Sequence, residues 1–272
     1  MKVRFLHLNI FQGKYFTRIV KFIKENDIDL LHLQEVTGGK LSKGGGFSYE
    51  HVPEANEMII AQDTVGIDNL KRLKEEFPYD FRFAKTSGFV GDPTAYYGNG
   101  TFFRPEFKLL DEKIIVLHPE NEETPEFNKW EESGRSALFL KFEIENKTFW
   151  SINTHLAWGN NPYDADYKTK QAQLIIDEIE KLKEPFILSG DFNMVAETQV
   201  VAMFEKYGTN WTKKEGITNT LNGHVHGIKK LFPPGLAVDY VFTSPEVNVK
   251  SYRLVDEIDL SDHYGMLLEL EV

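Results

Sequence analysis

An apolar run that ends in glycine and a carboxylate, Phe186 to Asn193 (Phe-Ile-Leu-Ser-Gly-Asp-Phe-Asn), constrains the fold more than any other stretch of the chain. Its first residues predict a short buried strand, and Gly190, which has no Cβ, lets other groups approach the backbone closely. Asp191 and Asn193 would point to the same side if the strand continued. Because ligands bind at the carboxyl ends of strands in an open α/β sheet, the segment indicates a functional site or, alternatively, an Asx turn that closes a strand.

A plan of strand, helix and strand occurs twice in the sequence. The elements are expected at 3–11, 15–26 and 29–36 in the first unit, and at 147–155, about 164–182 and 186–193 in the second. Each unit ends in an acid, Glu35 in the first and Asp191 in the second. The plan predicts, in each unit, a crossover helix that joins two parallel neighbouring strands.

The remaining periodicity predicts further strands and helices. Helices are expected at 64–77 and 200–207, and strands at 81–85, 97–103, 108–116, 137–143, 237–243, 247–256 and 266–272. The glycine-rich stretch 38–46 and the acidic stretch 118–132 indicate surface loops. No linker rich in Pro, Gly or Ser divides the chain, which predicts a single domain over residues 1–272.

Composition narrows the possible functions. The 272 residues include no cysteine, which excludes disulfides, thiolate catalysis and cysteine-ligated metals. A formal charge of −11 disfavours binding of long nucleic acid through a general basic surface, although it does not exclude nuclease activity. No apolar run approaches the roughly 20 residues that span a bilayer, and no signal-peptide pattern opens the sequence. We therefore expect a cytoplasmic monomer with no stable membrane insertion.

Polar side chains recur where the predicted strands end. They are Asn9, Glu35, Asn153, His155, Asp191, Asn193, Asp239, Asp262 and His263. Each alone is compatible with a turn, a cap or a satisfied interior side chain. Together they indicate one site, because charged groups in buried strands are costly unless they pair or bind a cation.

Six segments carry a resemblance to a known family. In Leu8-Asn9, Leu33-Gln34-Glu35, Asn153-Thr154-His155-Leu156, Gly190-Asp191-Phe192-Asn193, Val238-Asp239-Tyr240 and Ser261-Asp262-His263, the chain resembles the endonuclease/exonuclease/phosphatase (DNase I-like) superfamily. The segments extend from end to end of the chain, and they are specific for the family but not for a substrate. The resemblance implies an α/β fold, a four-layered α/β/β/α sandwich of two facing mixed sheets, with the site where their strand ends meet.

The resemblance also implies a metal and a nucleophile. Glu35 would be the principal ligand of Mg²⁺ (or Mn²⁺), with Asn9 beside it and Asp262 as a further ligand or a neighbouring carboxylate. Asp191 would position and activate water, and Asn193 would hold the phosphate or the nucleophile. Hard oxygen ligands suit these cations, which neutralise charge on a phosphoester while water attacks.

Two histidines complete the catalytic set that the resemblance implies. His263 would contact the phosphoryl oxygens and would be oriented by Asp239. His155 would be a second imidazole on the phosphate side, either a proton donor or a hydrogen-bonding group for developing charge.

Substrate contacts are less constrained by the sequence. Asn99 lies in a segment, with Tyr97 and Arg104, where the family often presents substrate-facing residues, and an exposed strand end would explain these residues equally well. Arg135 is a candidate for phosphate contact. Trp158, in the loop after His155, would stack on a base or pack the loop against its own sheet.

Three functions follow from these observations. The first is a metal-dependent phosphodiesterase or nuclease for a phosphoester substrate, including DNA or RNA ends, nicks and nucleotide-linked diesters. The second is a phosphomonoesterase of the inositol-phosphatase type, or a sphingomyelinase-like lipid phosphodiesterase. The third is a catalytically silent binding module, although such a module would have no chemical need for the full polar set.

Overall fold

The computed structural model describes residues 2–39, 68–89, 92–118, 133–159, 161–231 and 233–272. Its strands are β1 (Lys2–Asn9), β2 (Leu30–Gly39), β3 (Asp80–Phe89), β4 (Asp92–Phe103), β5 (Lys108–His118), β6 (Arg135–Ile144), β7 (Lys147–His155), β8 (Phe186–Asp191), β9 (Thr209–Asn210), β10 (Asp239–Thr243), β11 (Asn248–Val255) and β12 (Gly265–Glu271). Its α-helices are α1 (Phe16–Glu25), α2 (Asn69–Glu76), α3 (Asp166–Ile179), α4 (Gln199–Phe204) and α5 (Trp211–Lys214), and short 3-10 helices lie at Phe11–Gly13 and Lys229–Leu231.

The strands form two six-stranded sheets, with the orders β11-β12-β1-β2-β4-β3 and β5-β6-β7-β8-β10-β9. Each sheet contains one parallel pair, β1 with β2 and β7 with β8, and the other pairings are antiparallel. The two parallel pairs are the strand–helix–strand units of the sequence, so the predicted crossovers are confirmed. Predicted polar residues lie at the carboxyl ends of β1, β7 and β8, whereas Glu35 lies inside β2.

Three apolar clusters separate the layers. One lies between α1 and α2 and the first sheet, one lies between the two sheets, and one lies between the second sheet and α3 and α4. Strand β6 shows the alternation that produces these layers: Leu138, Leu140 and Phe142 face the other sheet, whereas Ala137 and Phe139 face the α3 side. Burial of each large side chain contributes about 1.5–3 kcal/mol. The four-layered α/β/β/α sandwich is therefore confirmed.

Strand β8 is buried along its whole length. A Cβ on Gly190 would lie 2.4 Å from the carbonyl oxygen of Thr154, so the close approach expected at this glycine is confirmed. The strand ends at Asp191, and Asn193 has a φ of +53°, in the left-handed region that asparagine tolerates better than most residues. The strand therefore ends before the predicted Asn193, and strand alternation does not determine how the side chains of Asp191 and Asn193 are directed.

Other boundaries differ modestly from the prediction. Helix α1 ends as expected, with the side-chain amide of Asn26 donating to the carbonyl of Phe22 at 2.9 Å. Helix α2 covers the later part of the predicted 64–77, and positions 64–67 lie outside the described residues. Most of the stretches 38–46 and 118–132 also lies outside them. Within the described residues, no helix is long and apolar enough to cross a membrane.

Candidate active site

The candidate site lies where the carboxyl ends of β1, β7 and β8 meet the start of β10, with Glu35 inside β2. The first sheet contributes Asn9 from β1 and Glu35 from β2, and the second contributes His155, Asp191 and Asp239 from β7, β8 and β10. Three loop residues, Asn193, Asp262 and His263, complete the set. All eight of the catalytic and metal-binding residues predicted from sequence are brought to this region by the contacts and charge interactions described below.

Glu35 sits at a break in the regular pairing of β2. The register with β4 shifts between Leu33 and Val36, and Glu35 has a φ of +56° inside the strand. Such a conformation costs of order 1–3 kcal/mol and is held by the surrounding structure. Burial raises the pKa of the Glu35 carboxyl, and the nearby Asp262 carboxylate raises it further.

Asn9 connects the two sheets across the site. Its Nδ2 donates to Glu35 Oε1 and to Asp191 Oδ2, both at 3.1 Å. Its Oδ1 accepts from the backbone N–H of Phe11 at 3.0 Å, so one lone pair of the oxygen expected to face a metal is engaged. Asn9 therefore fixes the relative position of the two carboxylates.

Asp191 has polar neighbours from both sheets. Besides Asn9, its Oδ2 lies 3.4 Å from Nε2 of His155 and 3.8 Å from Nε2 of His263. Its Oδ1 accepts from the backbone N–H of Asn193 at 2.9 Å. Burial and the negative charge of Asp239 raise the pKa of Asp191 to about 7. A carboxylate with that pKa can accept a proton near neutral pH.

Asp239 accepts hydrogen bonds from three side chains. Its Oδ2 accepts from His263 Nδ1 at 2.8 Å and from Thr220 Oγ1 at 2.7 Å, and its Oδ1 accepts from His7 Nε2 at 3.1 Å. Burial alone would raise the pKa of Asp239, but the two histidines outweigh it and hold that pKa well below its usual range. Burial likewise opposes protonation of His263, yet Asp239 and Asp191 raise its pKa well above normal. His263 is therefore an imidazolium at neutral pH.

The side chains of His155 and Asn193 are hydrogen-bonded to each other. Asn193 Nδ2 donates to the carbonyl of Leu156 at 3.0 Å, which sets the orientation of the amide and turns its second hydrogen toward His155 Nε2 at 3.0 Å. Burial lowers the pKa of His155 well below its usual value, and Arg135 adds to this effect. His155 is therefore neutral at neutral pH and accepts from the amide, unlike His263.

The three candidate substrate contacts lie in different environments. Arg135 is buried at the start of β6, and its charge lowers the pKa of both Glu35 and His155. Its Nε has no hydrogen-bond partner among the described residues. Asn99 is fully buried and donates to the carbonyl of Ser136 at 2.9 Å, so the exposure expected of a substrate-facing residue is not seen.

The third candidate substrate contact is Trp158, and Arg104 is a further residue considered in the sequence analysis. Trp158 is partly exposed in the loop that follows His155, and its carbonyl accepts from Tyr167 at 3.2 Å. Arg104 lies at the opposite end of β2 from Glu35 and pairs with Asp29 at 2.9 Å, so it is not part of the site.

Sequence reasoning missed a chain of buried polar side chains beneath the site. His7 and His32 each contact Ser189 Oγ, at 3.2 and 2.8 Å, and His32 also contacts Ser151. Through His7 this chain reaches Asp239. Alternation of polar residues in a mainly apolar strand is the only signal in the sequence, and it does not reveal partners on another sheet.

Lys168 was also missed. Its side chain is fully buried on α3, and its Nζ donates to the carbonyls of Asn161 at 2.9 Å and Asn193 at 3.2 Å. It therefore links the loop that contains Trp158 to the backbone of a predicted catalytic residue.

The donor set of the site fits a hard divalent cation. The carboxylate of Asp262 lies close enough to Glu35 to raise its pKa. Among the described residues, Asn9, His263 and Arg135 oppose this and lower the pKa of Glu35. Carboxylate and amide oxygens of this kind are the ligands that Mg²⁺ or Mn²⁺ takes in proteins. Glu35, with Asp262 and Asn9, would hold the cation.

Solved structures with the same fold cover nearly the whole chain. The endonuclease/exonuclease/phosphatase of Bacteroides vulgatus is 19% identical with a TM-score of 0.70, and the match covers 100% of this chain and 99% of that one. The mannosyl-6-phosphatase Bt3783 of Bacteroides thetaiotaomicron is 16% identical with a TM-score of 0.66, over 99% and 100% of the two chains. TDP2 of D. rerio, complexed with single-strand DNA product, is 16% identical with a TM-score of 0.67, over 100% and 99%.

Sequence comparison is decisive at the level of the family. No curated protein matches the sequence. The model of the endonuclease/exonuclease/phosphatase family matches residues 6–263, a range that contains every candidate catalytic and metal-binding residue described above. The chain therefore belongs to the endonuclease/exonuclease/phosphatase family of phosphoester hydrolases.

Proposed function

We propose that the protein is a divalent-metal-dependent phosphodiesterase that hydrolyses nucleic acid ends or nucleotide-linked diesters by attack of an activated water. One observation carries this proposal. The Asp191 carboxylate lies within 3.1 Å of Asn9 Nδ2, which also binds Glu35, and within 3.4 and 3.8 Å of two imidazole nitrogens. A proton acceptor, a metal-type carboxylate and an imidazolium that can bind phosphate, His263, are thus combined in one cluster.

The residues would divide the reaction between them. Asp191 would accept the proton of the attacking water, and the amide of Asn9 would keep its carboxylate aligned. His263, held as an imidazolium by Asp239, would stabilise negative charge that develops on the phosphoryl oxygens. A bound divalent cation supplies further neutralisation of that charge.

Arg135 would contribute a fixed positive charge to phosphate binding. A buried guanidinium is costly unless it is paired and hydrogen-bonded, and Nε of Arg135 has no partner among the described residues. Its influence on Glu35 and His155 indicates that it lies within electrostatic reach of both. We therefore propose that an anionic phosphoryl oxygen of the substrate completes its contacts.

The loop after His155 supports a substrate with a planar ring. Trp158 is partly exposed there, and Tyr163 in the same loop is 60% exposed. Base stacking on an aromatic side chain is worth about 1–3 kcal/mol per base. The structural similarity to TDP2, which was solved with a single-strand DNA product, is consistent with this choice.

Hydrolysis of a phosphomonoester is the second candidate. The observation that favours it is the equally extensive structural similarity to a mannosyl-6-phosphatase. The same cluster of residues would serve either reaction, because both require an activated water and a neutralised phosphoryl group.

The test compares substrates and variants under matched conditions. We would measure hydrolysis of bis-p-nitrophenyl phosphate, p-nitrophenyl phosphate, a nicked duplex, single-stranded DNA and sphingomyelin, with Mg²⁺, Mn²⁺ or EDTA. The variants are Glu35→Gln and Asp191→Asn, and Asp177→Asn, which changes an exposed carboxylate on α3, is the matched control.

The outcomes distinguish the candidates. Metal-dependent cleavage of the diesters, lost in Glu35→Gln and Asp191→Asn but kept in Asp177→Asn, is the expected result. Activity confined to p-nitrophenyl phosphate would replace the proposal with a phosphomonoesterase, and activity confined to sphingomyelin would replace it with a lipid phosphodiesterase. Absence of hydrolysis in the wild type on every substrate would favour a silent binding module.

A further inference from the structure

A third histidine, His226, lies beside the candidate site, outside every motif that resembles the family. A ring nitrogen of His226, a ring nitrogen of His263 and a carboxylate oxygen of Asp262 all lie within 4.8 Å of one another. The two imidazole rings have their centroids 6.3 Å apart and are tilted by 59°. His226 therefore shares the immediate surroundings of the imidazolium that would contact the phosphoryl oxygens.

The loop that carries His226 is fastened to the segment that carries the site. Asn222, which is fully buried, donates from its backbone to the carbonyl of Asp262 at 2.8 Å and from Nδ2 to the carbonyl of Ser261 at 3.1 Å. Its own carbonyl accepts from the backbone N–H of His226 at 2.7 Å. The position of His226 relative to Asp262 is thus set by backbone hydrogen bonds rather than by a free loop.

Hydrogen bonding fixes which nitrogen of His226 can donate to a ligand. The backbone N–H of Ile228 donates to His226 Nδ1 at 3.2 Å, so Nδ1 uses its lone pair. In the neutral ring the proton is then on Nε2. Nε2 can donate one hydrogen bond, but it has no lone pair to offer to a metal.

This tautomer decides whether the cluster of His226, His263 and Asp262 binds a metal or an anion. Two imidazoles and a carboxylate form a donor set typical of transition metals such as zinc. A metal bond at Nε2 would require the proton to leave and the contact between Nδ1 and Ile228 to change. Hydrogen bonding to an anion requires neither change.

We propose that His226 contacts the substrate directly, donating from Nε2 to a phosphoryl oxygen next to the one bound by His263, and that it is not a metal ligand. The inference rests on the proposed function and deepens it. The site would then receive a phosphate group through three separate side chains, Arg135, His226 and His263. Such an arrangement is suited to a phosphate with at least two terminal oxygens, which diesters and monoesters both have.

The experiment measures phosphate and metal binding separately. Calorimetric titrations with inorganic phosphate in Mg²⁺, and with Mn²⁺ alone, would be made on the wild type, His226→Phe and His226→Gln. Phenylalanine keeps the ring and removes the donor, whereas glutamine retains an N–H group. His224→Phe is the matched control, because His224 is in the same loop with its side chain 85% exposed.

The expected result is a selective loss of anion affinity. His226→Phe should weaken phosphate binding about tenfold, and raise KM for bis-p-nitrophenyl phosphate by a similar factor, because one hydrogen bond to an anion is lost. His226→Gln should lose less, and His224→Phe should match the wild type. Affinity for Mn²⁺ should be the same in all four proteins.

Two results would overturn the inference. One is unchanged phosphate affinity in His226→Phe, and the other is a loss of Mn²⁺ affinity in that variant with phosphate affinity kept. If circular dichroism shows that His226→Phe does not fold, His226→Leu is titrated with the same expectations. An inactive wild type would refute the proposed function while the phosphate titration still tests His226, and an active enzyme with an unchanged KM in the variant would refute the role of His226 alone.

Discussion

Replacement of Lys168 by methionine provides a quantitative test of how the site is supported. Lys168 is fully buried, and its Nζ donates to the carbonyls of Asn161 and Asn193. Burial lowers the pKa of the Lys168 ammonium from 10.5 to about 8, although Asp164 and Asp191 oppose the shift. Methionine has nearly the same length and shape but neither charge nor donor.

The two consequences of Lys168→Met oppose each other at neutral pH. A pKa lowered from 10.5 to about 8 means that burial of the charge costs about 3 kcal/mol at neutral pH, and the variant removes this cost. The variant also leaves the buried carbonyl of Asn193 without its donor, at about 1–3 kcal/mol, and removes the hydrogen bond to the carbonyl of the exposed Asn161. We therefore expect only a small change in the free energy of unfolding near pH 7, despite a local loss of order around Asn193.

The pH dependence separates the two terms. Between the folded pKa of about 8 and the unfolded value of 10.5, the unfolded chain binds more protons than the folded one. Wild-type stability therefore rises with pH in this window, and the variant lacks this contribution. The difference in unfolding free energy, wild type minus Lys168→Met, should increase by about 2 kcal/mol from about pH 7 to about pH 9.5.

The assay is urea unfolding at the two pH values, followed by circular dichroism, with the slope against urea compared between proteins. Lys170→Met is the matched control, because Lys170 lies on the same helix and is exposed. The control should show no such increase. A difference between wild type and Lys168→Met that stays constant with pH would refute the lowered pKa. Wild-type kcat in the variant would refute the role of Lys168 in positioning Asn193.

Three further substitutions test the site and its frame. Asp191→Asn should lower kcat on bis-p-nitrophenyl phosphate about 10²–10⁴-fold, because the proton acceptor is lost, and a near-normal kcat would exclude Asp191 as the base. Asp239→Asn should lower the free energy of unfolding by about 3–5 kcal/mol, because it leaves the charged His263 without its partner; urea unfolding with a change under about 1 kcal/mol would contradict that pairing. Gly190→Ala should cost about 1–3 kcal/mol in the same assay, because its Cβ would meet the carbonyl of Thr154, and wild-type stability would show that β7 and β8 can separate there.

The parallel units of the fold could be predicted because their signals are local. Buried strands and an amphipathic helix each have a short sequence period, and the crossover rule then fixes their relation. Helix α5 and strand β9 could not be predicted in this way. Their support comes from tertiary contacts, such as the indole N–H of Trp211 donating to Thr243 Oγ1 at 2.9 Å, and from the side chain of Asn210, which caps α5. The contact between Trp211 and Thr243 joins residues 32 positions apart in sequence.

The residue types of the candidate site could be proposed from the sequence, but their geometry could not. The orientation of Glu35 depends on an irregularity in the pairing of β2 with β4. The local sequence Leu-Gln-Glu-Val does not predict the positive φ of Glu35. Asn193 is oriented by the carbonyl of Leu156 and by His155 rather than by strand alternation. His226 lies near His263 because its loop bonds to a segment much later in the chain. The sequence shows the residue types, but the positions of these side chains depend on hydrogen-bond partners from other strands and loops.

The buried polar chain beneath the site accounts for the fixed relation of the two sheets. Apolar side chains between the sheets contribute most of the stability, but the hydrophobic effect is not directional and does not by itself align particular polar groups across the sheets. These hydrogen bonds join His32, Ser189 and His7. The three residues lie on β2, β8 and β1, each shortly before a residue of the candidate site: Glu35, Asp191 and Asn9. A shift of one sheet would break these hydrogen bonds and leave buried polar groups unpaired. The same hydrogen bonds therefore hold Asn9 Nδ2 at 3.1 Å from carboxylates on both sheets, which is the spacing that the proposed chemistry requires.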